Sequence, residues 1–215
     1  MLCGVSSRPT RPMDRRLLMA LAEYPVVASI IGAPMAPSFT KSVAPLAILA
    51  SVPLGDIEDT VADIVAAGKL VFVNMDSTPG LGHDPGALTY LHRIGASGIC
   101  STRGAVLERA GGLGLLTMQK VFVTDRSNLH RSIESVTRSH PDLVQVMPAI
   151  VLRYMEEDAR GLGIPFLAAG FVRNTTDIVE ALRHGAAGIS TSDEMLWDVR
   201  RADLSPVEPS ASERE

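Results

Sequence analysis

The sequence has few cysteines, few aromatic residues and no long hydrophobic run, and each shortage excludes a class of protein. Its two cysteines, Cys3 and Cys100, are too few for a disulfide framework and lack the spacing of a metal site. No apolar run approaches the roughly 18 residues that a membrane helix needs, and prolines and arginines interrupt residues 1–22, unlike a signal peptide. The net charge of −4 gives no general affinity for nucleic acid or anionic lipid. We therefore expect a cytoplasmic protein without a membrane association.

The order of the apolar segments predicts one domain built from alternating strands and helices. At 215 residues, of which 46% are hydrophobic, a single domain with a large aliphatic core is expected. Regular alternation of strand and helix patterns indicates a parallel sheet. The predicted strands are 26–31, 46–50, 70–75, 98–100, 115–123, 143–147, 166–169 and 187–189. Eight such units predict a compact, closed (β/α)8 TIM-type barrel, and an open doubly wound sheet is the alternative.

Residues 13–201 form the predicted barrel domain between two disordered tails, 1–12 and the acidic segment 202–215. A short helix over 13–24 should bury Leu17, Leu18 and Leu21. Segment 32–45 has no helical period, so the first crossover helix should be short or missing. Later helices are predicted where capping and apolar residues coincide; the residues that define them are Asp56, Leu152, Met155, Ala159, Asn174 and Thr175.

The last two predicted strands are each followed by small or hydroxyl residues and then by a helix pattern. Helix N-termini carry unpaired N–H groups and partial positive charge, and barrels bind phosphate after strands seven and eight. The sequence therefore predicts an anion site, although a turn glycine and capping hydroxyls would give the same pattern. The predicted phosphate ligands are Ala169, Gly170, Ser190, Thr191 and Ser192.

Other polar residues lie at the ends of predicted strands and are expected to line the barrel mouth. Asp76 follows a buried strand, where its carboxylate can accept hydrogen bonds from a polyol or act as a base. Arg103 is expected to hold a phosphate or to pair with Asp76. Gln119 and Lys120 alternate within one strand, so only one of them can face the interior. The predicted mouth residues are Asp76, Ser101, Arg103, Gln119, Lys120 and Gln145.

No arrangement in the sequence indicates a catalytic nucleophile, a metal site or a cofactor. The histidines lie in predicted loops or at helix ends and are expected to be solvated; they are His83, His92, His130, His140 and His184. Proton transfer needs a matched acid and base within reach of one atom, and only Asp76 is a candidate base. We therefore predict no catalytic residue and no turnover of phosphorylated trioses or glycerol.

Six motifs in order give the segment 70–197 a family resemblance. They are VNMDSTPGL at 73–81, CSTRGAVL at 100–107, MQKVFVTD at 118–125, PDLVQVMPAI at 141–150, IPFLAAGFV at 164–172 and ISTSDEMLW at 189–197. The chain resembles the glycerol-3-phosphate-responsive antiterminators, which regulate glycerol-uptake operons. The resemblance implies a barrel, glycerol 3-phosphate as effector, and binding to an mRNA leader so that a terminator does not form.

The chain departs from the family pattern at four positions that bear on ligand recognition. Gln145 stands where the family usually has an acidic residue, Ala149 and Ala169 where it has glycine, and Lys120 where it has arginine.

The alternatives to an RNA-binding regulator are an enzyme acting on a small phosphorylated substrate and a ligand sensor that acts through a protein partner.

An acidic protein that binds RNA needs a local arginine-rich surface. The basic candidates are a tail with Arg8, Arg11, Arg15 and Arg16, and helix faces with Arg126, Arg131 and Arg138. A homodimer is one expected form of assembly.

Overall fold

Eight parallel strands pair in sequence order and close into a barrel in the computed structural model, which describes residues 15–155, 158 and 161–204. The predicted closed (β/α)8 barrel is confirmed, and the open-sheet alternative is wrong. The strands are β1 (Val26–Ile31), β2 (Leu46–Ala50), β3 (Leu70–Asn74), β4 (Gly98–Ser101), β5 (Leu116–Phe122), β6 (Leu143–Met147), β7 (Phe166–Ala169) and β8 (Gly188–Thr191).

Seven α-helices have both ends in the described part of the chain: α1 (Arg15–Glu23), α2 (Ala36–Lys41), α3 (Leu54–Ala66), α4 (Pro85–Arg93), α5 (Gly104–Gly112), α6 (Arg126–Ser139) and α7 (Thr175–Arg183); Asp158 and Gly161 are also helical. Four 3-10 segments complete the described structure: Ala33–Met35, Ala149–Tyr154, Glu194–Leu196 and Arg201–Asp203. The first crossover helix, α2, is short, as predicted from segment 32–45. None of the described helices is long and apolar enough to cross a membrane.

Three helix predictions need correction. Helix α3 begins at Leu54 with Pro53 at the N-cap, so Asp56 lies in the first turn rather than at the cap. The residues directly after β6, Leu152 among them, form a 3-10 segment that ends before Met155; Asp158 and Gly161 are helical, and Ala159 lies outside the described residues. Directly after β8, a three-residue 3-10 turn replaces the predicted helix. The predicted domain boundaries remain predictions, because residues 1–12 and 205–215 also lie outside the described residues.

The core has two layers that follow from the alternation of side chains along each strand. Side chains directed into the barrel form one cluster, and α1 closes its amino-terminal end with Leu17 and Leu21, while Leu18 is exposed. Side chains directed outward pack against the surrounding helices in a second, larger cluster. At Gly188 a Cβ atom would lie 2.5 Å from the Pro25 carbonyl oxygen, so only glycine permits this close approach of β8 to β1.

Trp197, the single tryptophan, fixes the turn after β8 to the barrel. Its indole N–H donates to the Thr191 carbonyl at 3.0 Å, and its ring meets the Phe39 ring edge to face at a centroid distance of 6.1 Å. Both aromatic side chains are buried. The indole therefore holds α2 and the end of β8 together.

We expect Trp197→Phe to lower the free energy of unfolding by about 1–3 kcal/mol, because the Thr191 carbonyl would lose its buried donor. Trp197→Ala should cost about 3–5 kcal/mol, since it also leaves a cavity against Phe39. Urea unfolding followed by far-UV circular dichroism measures both. Met195→Ala is the matched control: Met195 lies in the same turn, is 86% exposed and should change stability by less than about 0.5 kcal/mol. Equal stability of the three variants would show that Trp197 does not anchor this turn.

Candidate functional site

A layer of polar side chains lies above the apolar interior at the carboxyl end of the barrel. Asn74, Gln145 and Ser190 are buried, although each is an uncharged polar residue in an otherwise aliphatic barrel. Gln145 Nε2 donates to Ser190 Oγ at 2.7 Å, so the amide bridges β6 and β8 across the intervening strand β7. Lys120 pairs in register with Gln145 and contributes a fourth polar side chain from β5. The mouth of the barrel therefore has a polar floor.

Asp76 stands at the centre of a hydrogen-bonded cluster over the ends of β3 and β4. Its Oδ1 accepts from Ser101 Oγ at 2.7 Å, and its Oδ2 accepts from the Thr102 backbone N–H at 2.8 Å. Lys120 Nζ lies 3.8 Å from Oδ2, and His83 Nε2 lies 3.6 Å from Oδ1. The loop carboxylate is thus held by groups from β4, β5 and the β3–α4 loop.

These neighbours determine the protonation state of Asp76. Burial raises the pKa of the carboxyl group, but the hydrogen bonds from Ser101 and Thr102 and the charge of Lys120 outweigh burial and lower the pKa overall. Nearby, burial raises the pKa of the Cys100 thiol to about 12. The mouth therefore holds a carboxylate that accepts hydrogen bonds at neutral pH and a thiol that is not ionised there.

Lys120 faces the interior and Gln119 does not. Lys120 Nζ donates to Asn74 Oδ1 at 3.4 Å and lies 5.6 Å from the centroid of the Phe122 ring. Gln119 points to the outside of the barrel, where Nε2 donates to Ser135 Oγ at 2.8 Å and Oε1 accepts from Ser139 Oγ on α6. The prediction of Gln119 as a mouth residue is therefore corrected, because the side-chain parity of β5 assigns it to the packing of α6.

Arg103 does not form the predicted pair with Asp76. Its side chain is exposed, and its backbone N–H donates to Ser101 Oγ at 3.1 Å. Lys120 and His83 take the places beside the carboxylate that the sequence interpretation gave to the arginine.

The predicted phosphate residues come together on the neighbouring ends of β7 and β8. Ala169 and Ser190 are partners in register, and Gly170 has the left-handed backbone angle φ of +79° that glycine accommodates best. The Gly170 and Ser192 backbone N–H groups donate to no acceptor in the part of the chain that the structure describes. Two amides without a described acceptor and two serine hydroxyls therefore lie at the ends of the adjacent strands β7 and β8.

Two features of this arrangement differ from the prediction. Thr191 Oγ1 donates to the Val172 carbonyl at 3.4 Å and accepts from the Asp193 N–H at 3.1 Å, so this hydroxyl is already engaged. The expected helix N-termini are also already satisfied: Asp193 caps the 3-10 turn after β8, and Asn174 forms a capping box with Asp177 on α7. An anion at this rim would be held by loop amides and hydroxyls rather than by helix dipoles.

Two residues of the mouth were missed from the sequence. Asn74 had a usable signal, because it shares the parity of inward-facing Phe72 at the end of β3. His83 had none, since it lies in an aperiodic loop. Its Nε2 atom is buried and has no hydrogen-bond partner among the described residues, while its side chain is 28% exposed, so His83 is solvated only in part. The prediction of solvated histidines is wrong for His184, whose side chain is 6% exposed and whose Nε2 lies 3.0 Å from Glu180 Oε1, whereas His92, His130 and His140 are exposed.

No group of three metal-ligating side chains occurs among the described residues.

The arginines Arg126, Arg131 and Arg138 are all exposed on α6, with Arg126 at its first residue.

Comparison with known proteins supports a regulatory family. The sequence profile described as "Glycerol-3-phosphate responsive antiterminator" matches residues 26–197. The uncharacterized protein YgcP of Escherichia coli (strain K12) is 25% identical over 146 residues, 67% of this chain and 76% of its own length.

Two crystal structures share the fold. The glycerol uptake operon antiterminator regulatory protein of Listeria monocytogenes superposes with a TM-score of 0.76 at 21% identity, over 88% of this chain and 98% of that chain. A glycerol uptake operon antiterminator-related protein of Thermotoga maritima gives a TM-score of 0.73 at 25% identity, over 82% and 99%.

We expect Asp76→Asn to destabilise the protein by about 1–3 kcal/mol at pH 7, because Ser101 and Thr102 would lose a charged acceptor. The pKa of Asp76 is lower in the folded protein than its ordinary value of 3.8. The stability that the ionised carboxylate adds is therefore fully present above the ordinary pKa, and it is lost as the pH falls through the lower pKa of the folded protein. The stability difference between wild type and Asp76→Asn, measured by urea unfolding, should shrink from pH 7 to pH 3.

Asp59→Asn, which removes an exposed carboxylate on α3, is the matched control and should change stability by less than about 0.5 kcal/mol at pH 7. A difference between wild type and Asp76→Asn that is constant with pH would contradict the role given to the ionised carboxylate.

Proposed function

The chain belongs to the glycerol-3-phosphate responsive antiterminator family, and we propose that it senses glycerol 3-phosphate and binds the mRNA leader of a glycerol-uptake operon, so that a transcription terminator does not form. One observation supports the proposal that the protein binds this ligand. The barrel mouth has amides and hydroxyls without described acceptors at the ends of β7 and β8, and the Asp76–Lys120 pair at the ends of β3 and β5. The family is one of regulators, so the protein is a regulator and not an enzyme. We place its action in the cytoplasm, where leader transcripts are made.

The two ends of the mouth suit the two ends of glycerol 3-phosphate. The phosphate is assigned to the Gly170 and Ser192 amides and the Ser190 hydroxyl, since backbone N–H groups that are pointed at one spot bind anions. The glycerol hydroxyls are assigned to Asp76, which accepts hydrogen bonds as a carboxylate. Lys120 is a cation that either end of the ligand can approach.

Gln145 connects these two parts of the mouth. It pairs in register with Lys120 and donates to Ser190 at 2.7 Å. A ligand oxygen that replaces Gln145 as the partner of Ser190 would free the amide to donate to the same ligand. We assign Gln145 to ligand recognition on this ground.

We expect Ser190→Asp to weaken glycerol 3-phosphate binding by about 1.5–3 kcal/mol or more in isothermal calorimetry. The new carboxylate would replace a hydroxyl beside the phosphate, and the like charges would repel. The fold should persist, because the carboxylate can still accept the hydrogen bond from Gln145. Ser190→Ala is the control that removes the hydroxyl without adding charge, and it should lose less affinity. Unchanged affinity in both variants would exclude Ser190 from the phosphate site.

We expect binding to the leader transcript, measured by fluorescence anisotropy at saturating glycerol 3-phosphate, to weaken steeply with salt. The slope should be about 0.7 log units per phosphate contact for single strands. Replacing Arg126, Arg131 and Arg138 together with glutamine should lower that slope and leave ligand binding intact, because these side chains are exposed on α6. Wild-type protein that shows no salt-sensitive binding to the leader would favour a sensor that acts through a protein partner.

A further inference from the structure

Three aromatic side chains are exposed at or after the carboxyl ends of three consecutive strands. Phe122 ends β5, Tyr154 follows β6, and Phe171 follows β7; they are 50%, 72% and 73% exposed. The whole chain has only five phenylalanines, three tyrosines and one tryptophan. Three of these nine aromatic residues are thus largely exposed after neighbouring strands of the barrel, which is unusual for so scarce a residue type. We call Phe122, Tyr154 and Phe171 the aromatic arc.

The backbone under the aromatic arc is held in place by hydrogen bonds between its loops. The Val123 N–H donates to the Met147 carbonyl at 2.8 Å, which joins the ends of β5 and β6. The Ala149 N–H donates to the Gly170 carbonyl at 3.4 Å, which joins the loops after β6 and β7. Phe171 itself has a φ of +62°, an uncommon conformation for a bulky residue. A strained backbone that directs a phenylalanine into solvent is a feature that packing does not explain.

Each aromatic residue of the arc has an exposed arginine within four residues of it in the sequence: Arg126, Arg153 and Arg173. Among the described residues Arg126 and Arg173 make no ion pair, and Arg153 Nη2 lies 4.0 Å from Glu180 Oε1. The nearby carboxylates of Asp125 and Asp177 accept hydrogen bonds from backbone N–H groups at the starts of α6 and α7. These two carboxylates are thus engaged in capping helices, and the guanidinium groups of Arg126 and Arg173 are available to bind phosphate.

We propose that the aromatic arc is a stacking platform for unpaired bases of the leader RNA, with Arg126, Arg153 and Arg173 contacting its phosphates. This inference rests on the proposed function and adds the surface and the mode of binding. Aromatic faces beside arginines are typical of sites for single-stranded nucleic acid, because every base can stack on a ring and every phosphate can accept from a guanidinium group. Ile150 and Met195 are also exposed on this rim, so a protein partner is the competing occupant.

The aromatic arc adjoins the proposed ligand site through one residue. Lys120 Nζ lies 5.6 Å from the centre of the Phe122 ring and 3.8 Å from Asp76 Oδ2. A ligand that changes the position of Lys120 therefore changes the environment of the first ring of the arc. This gives glycerol 3-phosphate a route to favour one RNA-binding state over another, as a coupled effector requires.

The test replaces rings by an apolar side chain that cannot stack. Anisotropy of the labelled leader transcript at saturating glycerol 3-phosphate should show binding that is about 5- to 150-fold weaker for Tyr154→Leu and for Phe171→Leu, the equivalent of about 1–3 kcal/mol per stacked base. The salt slope should be unchanged in both, because no charge is lost, whereas Arg173→Gln should lower it by about 0.7. Ligand affinity should be retained in the leucine variants. Met19→Leu, at a 64% exposed position of α1, is the matched control and should bind the transcript as wild type does.

The outcomes separate this inference from the proposed function. If wild type binds the transcript and both leucine variants bind it equally well, the aromatic arc is not a stacking platform, but the proposed regulatory function stands. No binding by wild type at saturating ligand would overturn both. Leucine variants that lose self-association in sedimentation velocity but keep RNA affinity would make the rim a protein interface and overturn the stacking platform.

Discussion

The parallel register that joins β1 to β8 is the constraint on which both the core and the mouth depend. Closure pairs Val27 with Ser190 and fixes which residue of every strand faces inward. The interior is therefore apolar at the level of Phe72 and Met118 and polar one step later, at Asn74 and Lys120. A slip of β5 by one residue would turn Gln119 into the mouth and press the Lys120 ammonium against α6. Burial of an unpaired charge there is costly, so the site chemistry and the barrel register support each other.

The elements that sequence reasoning predicted well are those whose signals are local. Apolar runs identified all eight strands, and Asn174 and Thr175 marked the start of α7, where the structure has Asn174 as the cap. The errors arose where distant contacts decide. The segment after β8 carries helix-like spacing, but the contact of Trp197 with Phe39 and Thr191 holds it as a single 3-10 turn. His83 lies in the Asp76 cluster because of the conformation of an aperiodic loop, and no local sequence pattern predicts that conformation.

The neutral side chain at position 145 changes the electrostatics of the mouth relative to an acidic residue. Gln145 donates to Ser190, and a carboxylate could not do so. A carboxylate beside Lys120 would also compete with Asp76 for the one ammonium group near these oxygens. With glutamine, Asp76 is the only carboxylate known to contact Lys120 among the described residues. With glutamine, the mouth therefore repels a phosphate less than it would with an acidic residue at position 145. It also lacks the carboxylate that would accept hydrogen bonds from ligand hydroxyls.

The net charge of −4 does not describe the surface that RNA would meet. Charges further apart than a Debye length of about 8–10 Å are largely screened at physiological salt, so only the local balance at the rim matters. Asp125, Asp177 and Asp193 lie there, but each accepts backbone N–H bonds at the start of a helix or turn. At the two α-helices, the partial positive charge of the helix end offsets part of the carboxylate field. Exposed Arg126 and Arg173 beside them make no ion pair with any described residue. A chain that is acidic overall can thus present arginines at this rim beside carboxylates whose charge the helix ends partly offset.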